Sequence, residues 1–502
     1  LKCGQSLFEG ASVKPFIGGD KSHMHKGMMC REIPYLPVMQ AFLPFVEEAQ
    51  AHLLGAGHHA RASWGGEWEY IVAAPTQVLS CRDGVVSLNG TEQALAPDET
   101  PFDVLQRLLA AREGREVLSA DDVAGLPLPD FQGGALGMIA YEAAAWLEPS
   151  LELPRAEGPL PEFCFGFYDT VAAFHAETER AFVYGRDETD VLKLVARFQA
   201  ADVSNATQPA VAENVSTAQV YAAYMAHIKK IKEYILQGDI FQANMTQQLS
   251  AQFAEVSDFA GMMATAFQKL KEQSSAGFMA LLQMEAGMAL SNSPEQYFTV
   301  SRSQDALKVT AAPVKGTRQR DSDPERDQKL ADELLSNEKD RAENIMIADL
   351  VRNDLSRVCE DHSICEEEIC ALRSYGHVHH LVSVISGALR AGLGAVDVLK
   401  ASFPCGSITG APKIRAMEVI AERERQGRGV YCGAIGYISD HGAAAFSVPI
   451  RTAVADLQNQ SLSYGTGGGI TVLSDPQTEY EEIITKAGTF FALTGTGREA
   501  VS

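Results

Sequence analysis

The chain has 502 residues, 46% hydrophobic and 21% charged, a globular composition that excludes an intrinsically disordered protein. Its 65 acidic against 42 basic side chains give a formal charge of −23, which repels phosphate backbones and anionic lipid surfaces, so no nucleic-acid and no membrane role is expected. No apolar run approaches the roughly 20 residues that cross a bilayer, LKCGQSLFEG is not expected to act as a signal peptide, and nine scattered cysteines suit a reducing cytoplasm.

Residues 1–32 lack hydrophobic periodicity and read as a flexible leader, with a start as late as Met28 or Met29. Residues 33–202 alternate short strands with occasional helices. GEWEYIVAAP and VLSCRDGVVSLNG are expected to be strands punctuated by Asp-Gly and Asn-Gly turns. DVLQRLLAAR has the spacing of an amphipathic helix, and FCFGFYDTVAAF reads as one buried strand. The polar, turn-forming stretch at 203–217 is the expected linker to a second domain at 218–497. There, Tyr221, Met225, Ile228, Ile231 and Ile235 recur at helical spacing and Gly238 supplies a stop.

The candidate chemistry lies in the second part. In DRAENIMIADLVRND, Ala342, Ile345, Met346 and Leu350 form an apolar stripe, and Glu343 points along it. A carboxylate there needs a cation, a proton or a metal unless it snorkels to water. In SDPQTEYEEIITKAG, Asp475 is an N-cap and Pro476 takes the first helical position. Glu479, Glu482 and Lys486 then share one face, either as a solvated ion pair or, with Glu343, as a grip on a hard divalent ion. The glycines of SYGTGGGITV let backbone amides approach an anion, but neither this run nor FPCGSITGAPK has dinucleotide or P-loop spacing.

GVYCGAIGYISDHGAAAFSVPIRTAVADL reads as a hairpin turning at Asp440-His441-Gly442. Phe446, Val448 and Ile450 are expected on one face of its second strand and Arg451 on the other, facing a carboxylate of the protein or of a ligand. Lys315 ends an apolar strand in TAAPVKGTRQR; held from water it would be a neutral nucleophilic amine, otherwise a solvated turn residue. Glu295, in SNSPEQYFTV, is a strand-edge carboxylate. Cys359, Cys365 and Cys370 with His377, His379 and His380 fit no zinc-site spacing.

The runs GDIFQANMTQ, SPEQYF, PVKGTRQR, DRAENIMIADLVRNDL, HHLVS, FPCGSITGAPKIRAMEVI, YCGAIGYI, IRTAV, GTGGGI and EYEEIITKA occur in that order. Together they resemble the chorismate-utilising enzymes: anthranilate and aminodeoxychorismate synthase components I and the isochorismate and salicylate synthases. FQGGALGMIAYE and FGFYD extend the resemblance into the N-terminal part. The resemblance implies an α+β fold of two stacked antiparallel β-sheets flanked by outer helices, with the N-terminal region joined to the catalytic one. It also implies Mg²⁺ on Glu343 and Glu482, with Glu479 nearby, binding the ring carboxylate of chorismate. Arg451 and Tyr431 would hold the enolpyruvyl carboxylate, helped by the Gly465–Gly467 backbone and Lys486. His380 and Ser407 would lie near the ring carboxylate and the C4 leaving group, and Glu295 would protonate the departing C4 hydroxyl. Thr317 and Gln242 complete the expected substrate-facing set.

Two positions separate the branches within this resemblance. Isochorismate and salicylate formers carry a water-activating lysine where this chain has Gln242, which disfavours water addition. Pro313-Val314-Lys315-Gly316-Thr317 resembles the lysine-bearing motif of the aminodeoxychorismate synthases, in which lysine attacks C2 and ammonia then adds at C4. Nothing resembles the nucleophile elbow of a glutaminase or a pyridoxal-phosphate lyase, so a separate glutamine amidotransferase subunit is expected to supply ammonia. The rival readings are an anthranilate synthase component I and a non-catalytic subunit that regulates a glutaminase.

Overall fold

Strands that bury both faces read as near-continuous apolar runs, and their odd and even residues then enter different cores. In Thr170–His175, Val171 and Ala173 join one cluster while Ala172 and Phe174 join another. The same division separates Leu136 from Ala135 in Gly134–Ile139, and Ala280 from Met279 in Phe278–Gln283. The computed structural model describes residues 23–25, 27–60, 64, 66–200, 209–217, 221–303, 306–376 and 378–501.

Among these residues the strands form two antiparallel sheets, of 13 and 12 strands. The first runs His23–His25, Met28–Ile33, Arg180–Gly185, Thr170–His175, Trp68–Val72, His52–Gly55, Phe278–Gln283, Gly287–Ser293, Thr452–Asp456, Ser461–Ile470, Gln242–Gln252, Asn214–Thr217, with Gly410–Ala411 pairing beside Gln242–Gln252 off this path. The second runs Val314–Gln319, Val378–Ala388, Ala306–Ala311, Gln296–Ser303, Ala444–Ser447, Ala434–Ser439, Gly134–Ile139, Phe163–Tyr168, Gln77–Arg82, Val85–Leu88, Thr91–Glu92, with Cys365–Ser374 pairing beside Val378–Ala388 off this path. Their inner faces share a core in which Tyr70 and Trp68 of the first meet Tyr437 and Met138 of the second. Helices Val38–Phe42, Glu188–Ala200 and Phe259–Gln273 cover the outer face of the first sheet; Pro101–Ala110, Glu338–Ser356 and Ala395–Ser402 cover that of the second. This is the expected α+β arrangement.

Several sequence expectations are corrected here. Met28, Met29 and Cys30 are buried in a strand paired with Arg180–Gly185, so the expected leader reaches into the first sheet at 28–32; residues 1–22 and 26 lie outside the described residues. Asn214–Thr217, the end of the expected linker, pairs with Gln242–Gln252, and both sheets interleave strands from either side of it. FCFGFYDTVAAF is two strands, Phe163–Tyr168 in the second sheet and Thr170–His175 in the first, and Asp169 at the step is held by Arg112 and Arg115. The hairpin turn at Asp83-Gly84 is as expected, with both residues at positive φ (53° and 77°).

The helix Glu338–Ser356 buries Asn344, Ile347, Ala348, Val351 and Leu355, not the expected stripe; Ile345 is exposed. The shift follows from Asn344, whose amide donates to Leu381 O at 3.0 Å and accepts from the Ser383 hydroxyl, so a polar side chain takes a core position at little cost.

Candidate active site

Two more chain segments step from one sheet to the other, and both carry expected site residues. Between Gly287–Ser293 and Gln296–Ser303 the step contains Glu295; between Ala444–Ser447 and Thr452–Asp456 it contains Arg451. Backbone bonds tie the two steps together, from Val448 N to Glu295 O and from Asn292 N to Arg451 O, both at 3.1 Å. Arg451 is therefore not within a strand, as its sequence suggests. It sits at a corner with φ 52°, a conformation that costs an arginine about 1–3 kcal/mol and that surrounding contacts must enforce.

Glu295 is 4% exposed, and its Oε1 has no hydrogen-bond partner among the described residues. Burial pushes its pKa up, against the opposing pull of Lys315 and of bonds from the Ser407 hydroxyl and the Val314 amide. The carboxyl is thus biased toward its protonated form. Burial also lowers the pKa of Arg451, against the pull of Tyr464 and Glu295, and among the described residues no ion pair holds it, leaving the guanidinium fork available to a ligand.

Lys315 lies on the edge strand Val314–Gln319, where the register with Val378–Ala388 slips between Val314 and Thr317 and Gly316 takes φ 86°. Its Nζ donates to Ser407 O at 2.8 Å. Its charge is felt by Glu295, Glu343 and Glu482. A Cβ on Gly469 would lie 3.7 Å from that amine and would collide with the Gln242 amide, so the glycine lets the strand pass close to both groups. Gln242 is 1% exposed and its Oε1 lacks a partner among the described residues. Thr317 Oγ1 is 2.8 Å from His380 Nδ1. Burial, reinforced by Arg451, holds His380 down at about 4, so its ring is neutral near neutral pH.

The glycine run lies in strand Ser461–Ile470 beside Gln242–Gln252. The Tyr431 ring lies flat against Gly465, where any side chain would strike it. Both line a cavity with Thr246, Glu424 and Arg428. Lys486 Nζ donates to Gly467 O at 3.2 Å and pairs with Glu482 at 2.7 Å.

The acids come from two helices, as expected: Glu343 from Glu338–Ser356, Glu479 and Glu482 from Pro476–Lys486, the latter capped by Asp475 on Thr478 N at 3.0 Å. Glu479 is 3% exposed. Burial raises the pKa of Glu343, whereas Lys486 lowers that of Glu482, whose side chain is 48% exposed. Among the described residues no group of three or more His, Cys, Asp or Glu converges on one point; each acid instead turns toward a lysine. The lysine between Glu343 and Glu479 is Lys339, which sequence reasoning missed. Its signal was present, since Lys339 and Glu343 stand four apart on one helix. His377 lies outside the described residues, and His379 Nε2 lies 3.0 Å from Asp327 Oδ1.

In this two-sheet α+β scaffold the sheet-crossing steps set a buried acid and an arginine next to each other, and the lysine of an edge strand lies within the field of that acid. Residues 63–492 match the chorismate binding enzyme family, and the chain belongs to that family of chorismate-utilising enzymes. It is 34% identical to aminodeoxychorismate synthase component 1 of Escherichia coli (strain K12) over 419 residues, 84% of this chain and 88% of that protein. It is 33% identical to anthranilate synthase component 1 of Synechocystis sp. over 460 residues, 84% of this chain and 86% of that protein. The crystal structure of anthranilate synthase component I from Streptococcus pneumoniae TIGR4 superposes with a TM-score of 0.72 at 27% identity, covering 87% of this chain and 95% of that one. Among the described residues no helix is long and apolar enough to cross a membrane.

Proposed function

We propose that the chain is a cytoplasmic aminodeoxychorismate synthase component I, converting chorismate and ammonia to 4-amino-4-deoxychorismate, with ammonia delivered by a separate glutamine amidotransferase subunit. The observation that carries this reading is Lys315: its amine is anchored on Ser407 O at 2.8 Å, within the field of Glu295, beside Gln242 and Gly469. In this reading Lys315 first loses a proton to solvent, its amine then bonds to ring C2, the ring double bonds shift, and the C4–O bond breaks as Glu295 gives its proton to the departing hydroxyl, releasing water. Ammonia then bonds to C4, the double bonds shift back, the C2–N bond breaks, and a proton of the incoming nitrogen is released. Arg451 would grip the enolpyruvyl carboxylate with Tyr431 beside it, and the neutral His380 ring, steadied by Thr317, would stand by the ring.

Glu343 and Glu479 offer hard oxygens on either side of Lys339, and the buried Glu343 Oε1 has no hydrogen-bond partner among the described residues, so this pair suits a divalent cation such as Mg²⁺, which Glu482 would join by turning away from Lys486. When bound, Mg²⁺ would supply positive charge for the ring carboxylate.

Chorismate, Mg²⁺ and ammonium are mixed with the purified chain and the products separated. 4-Amino-4-deoxychorismate is expected, and Lys315→Ala is expected to form at least about 100-fold less of it. Fluorescent anthranilate in place of the amino-deoxy product would assign the chain to the anthranilate branch. No turnover by a folded, chorismate-binding chain would make it a regulatory subunit. Unchanged product formation by Lys315→Ala would remove the lysine's covalent role.

A further inference from the structure

Lys339 reaches from the first turn of helix Glu338–Ser356 into the space between two acids of different helices. Its Nζ lies 3.2 Å from Glu479 Oε1, 140 residues away, and 3.9 Å from Glu343 Oε1, one turn along its own helix. The two contacts differ in kind. The first is a hydrogen-bonded ion pair with a side chain only 4% exposed; the second is too long for a hydrogen bond and leaves Glu343 Oε1 buried and unpartnered.

A permanent structural pair in the same protein looks different. Arg428 and Glu424 are 3% and 5% exposed. Glu424 Oε1 accepts from Thr246 N, Thr246 Oγ1 and Arg428 Nη2, and its Oε2 accepts from Arg428 Nε. Both oxygens of that carboxylate are therefore held by hydrogen bonds from the arginine. At Lys339 the acids keep unused lone pairs, while the lysine side chain is 37% exposed and can swing into water.

We propose that Lys339 is a resident counter-cation that occupies the metal position between Glu343 and Glu479 until a divalent ion displaces it, and so weakens metal affinity. The inference rests on the reading of these acids as metal ligands. Without the ion, the ammonium offsets the repulsion between two desolvated carboxylates. With the ion, one positive charge must leave as two arrive, and its loss from Glu479 opposes binding. A neutral side chain of similar length removes that competition. An arginine keeps it, because its charge is retained.

The test compares wild type, Lys339→Met, Lys339→Arg and Glu343→Gln in the full chain. Free Mn²⁺ is followed by electron paramagnetic resonance, Mg²⁺ binding by calorimetry, and thermal unfolding is recorded with and without metal. Lys339→Met is expected to bind Mn²⁺ about tenfold tighter than wild type, the scale of one partly solvated charge contact, and to unfold at lower temperature when metal-free. Lys339→Arg is expected near wild type, and Glu343→Gln to lose the site. Equal or weaker binding by Lys339→Met, with wild type still binding through Glu343, overturns the role of Lys339 alone. Absence of Glu343-dependent binding in every variant overturns the metal reading and this inference together.

Discussion

Gly465→Ala is the sharpest probe of how the glycine strand and the Tyr431 ring are fitted. A Cβ built on Gly465 stands 2.7 Å from Tyr431 Cε1 and closer still to Cγ and Cδ1, whereas ordinary contact begins at 3.4 Å. The ring must therefore retreat by about 0.7 Å at Cε1 and further at Cδ1, in a core where overpacking costs about 1–3 kcal/mol. Retreat is hindered, because Tyr431 is 7% exposed and is followed by Cys432 at φ 65°. A displacement near 1 Å at a substrate-positioning group lowers turnover by up to about 100-fold. The control is Gly488→Ala: Gly488 opens helix Gly488–Thr494, and a Cβ there meets nothing within 4 Å. That change should stabilise the chain by about 0.5–1 kcal/mol through the unfolded state, with activity intact. Urea unfolding and chorismate turnover with ammonium measure both variants. Gly465→Ala with wild-type stability and wild-type kcat/KM would refute the fitted-ring argument.

Two further outcomes follow from buried titratable groups. Glu295→Gln should lower kcat by about 100-fold or more while KM changes little, since the amide keeps the shape but has no proton to give; steady-state kinetics within threefold or so of wild type would end the acid role. His52 is fully buried, Nδ1 lies 2.8 Å from Ala51 O, and burial pulls its pKa from 6.5 down to about 3. Its folded pKa is depressed, so the stability it contributes is fully present above 6.5 and is lost as pH falls toward about 3. Wild type should lose about 2 kcal/mol relative to His52→Phe between about pH 6.5 and about pH 5, read from denaturant curves; parallel pH profiles would show that the histidine is not buried neutral.

Local chemistry was legible without coordinates wherever neighbours in sequence are neighbours in space. The Asp475 cap with Pro476, the Asp83-Gly84 turn and the helix of Glu343 are each decided within a few residues. Apolar pattern alone could not say that FCFGFYDTVAAF breaks at Asp169, because two strands buried on both faces look the same as one longer strand. Nor could it rotate the helix Glu338–Ser356 correctly, since its core position at Asn344 is polar and satisfied only by Leu381 and Ser383.

The sequence by itself determined which chemical groups the site has available, because residue identity is a local property, and its family-like motifs, rather than its hydrophobic period, implied the two-sheet, helix-covered class of fold. Tertiary structure decided which of them meet. Glu295 and Arg451 become neighbours because each lies where the chain passes from one sheet to the other. Lys315 finds Ser407 across 92 residues, and Lys339 finds Glu479 across 140. Such meetings are set by packing and sheet order, which no window of sequence contains.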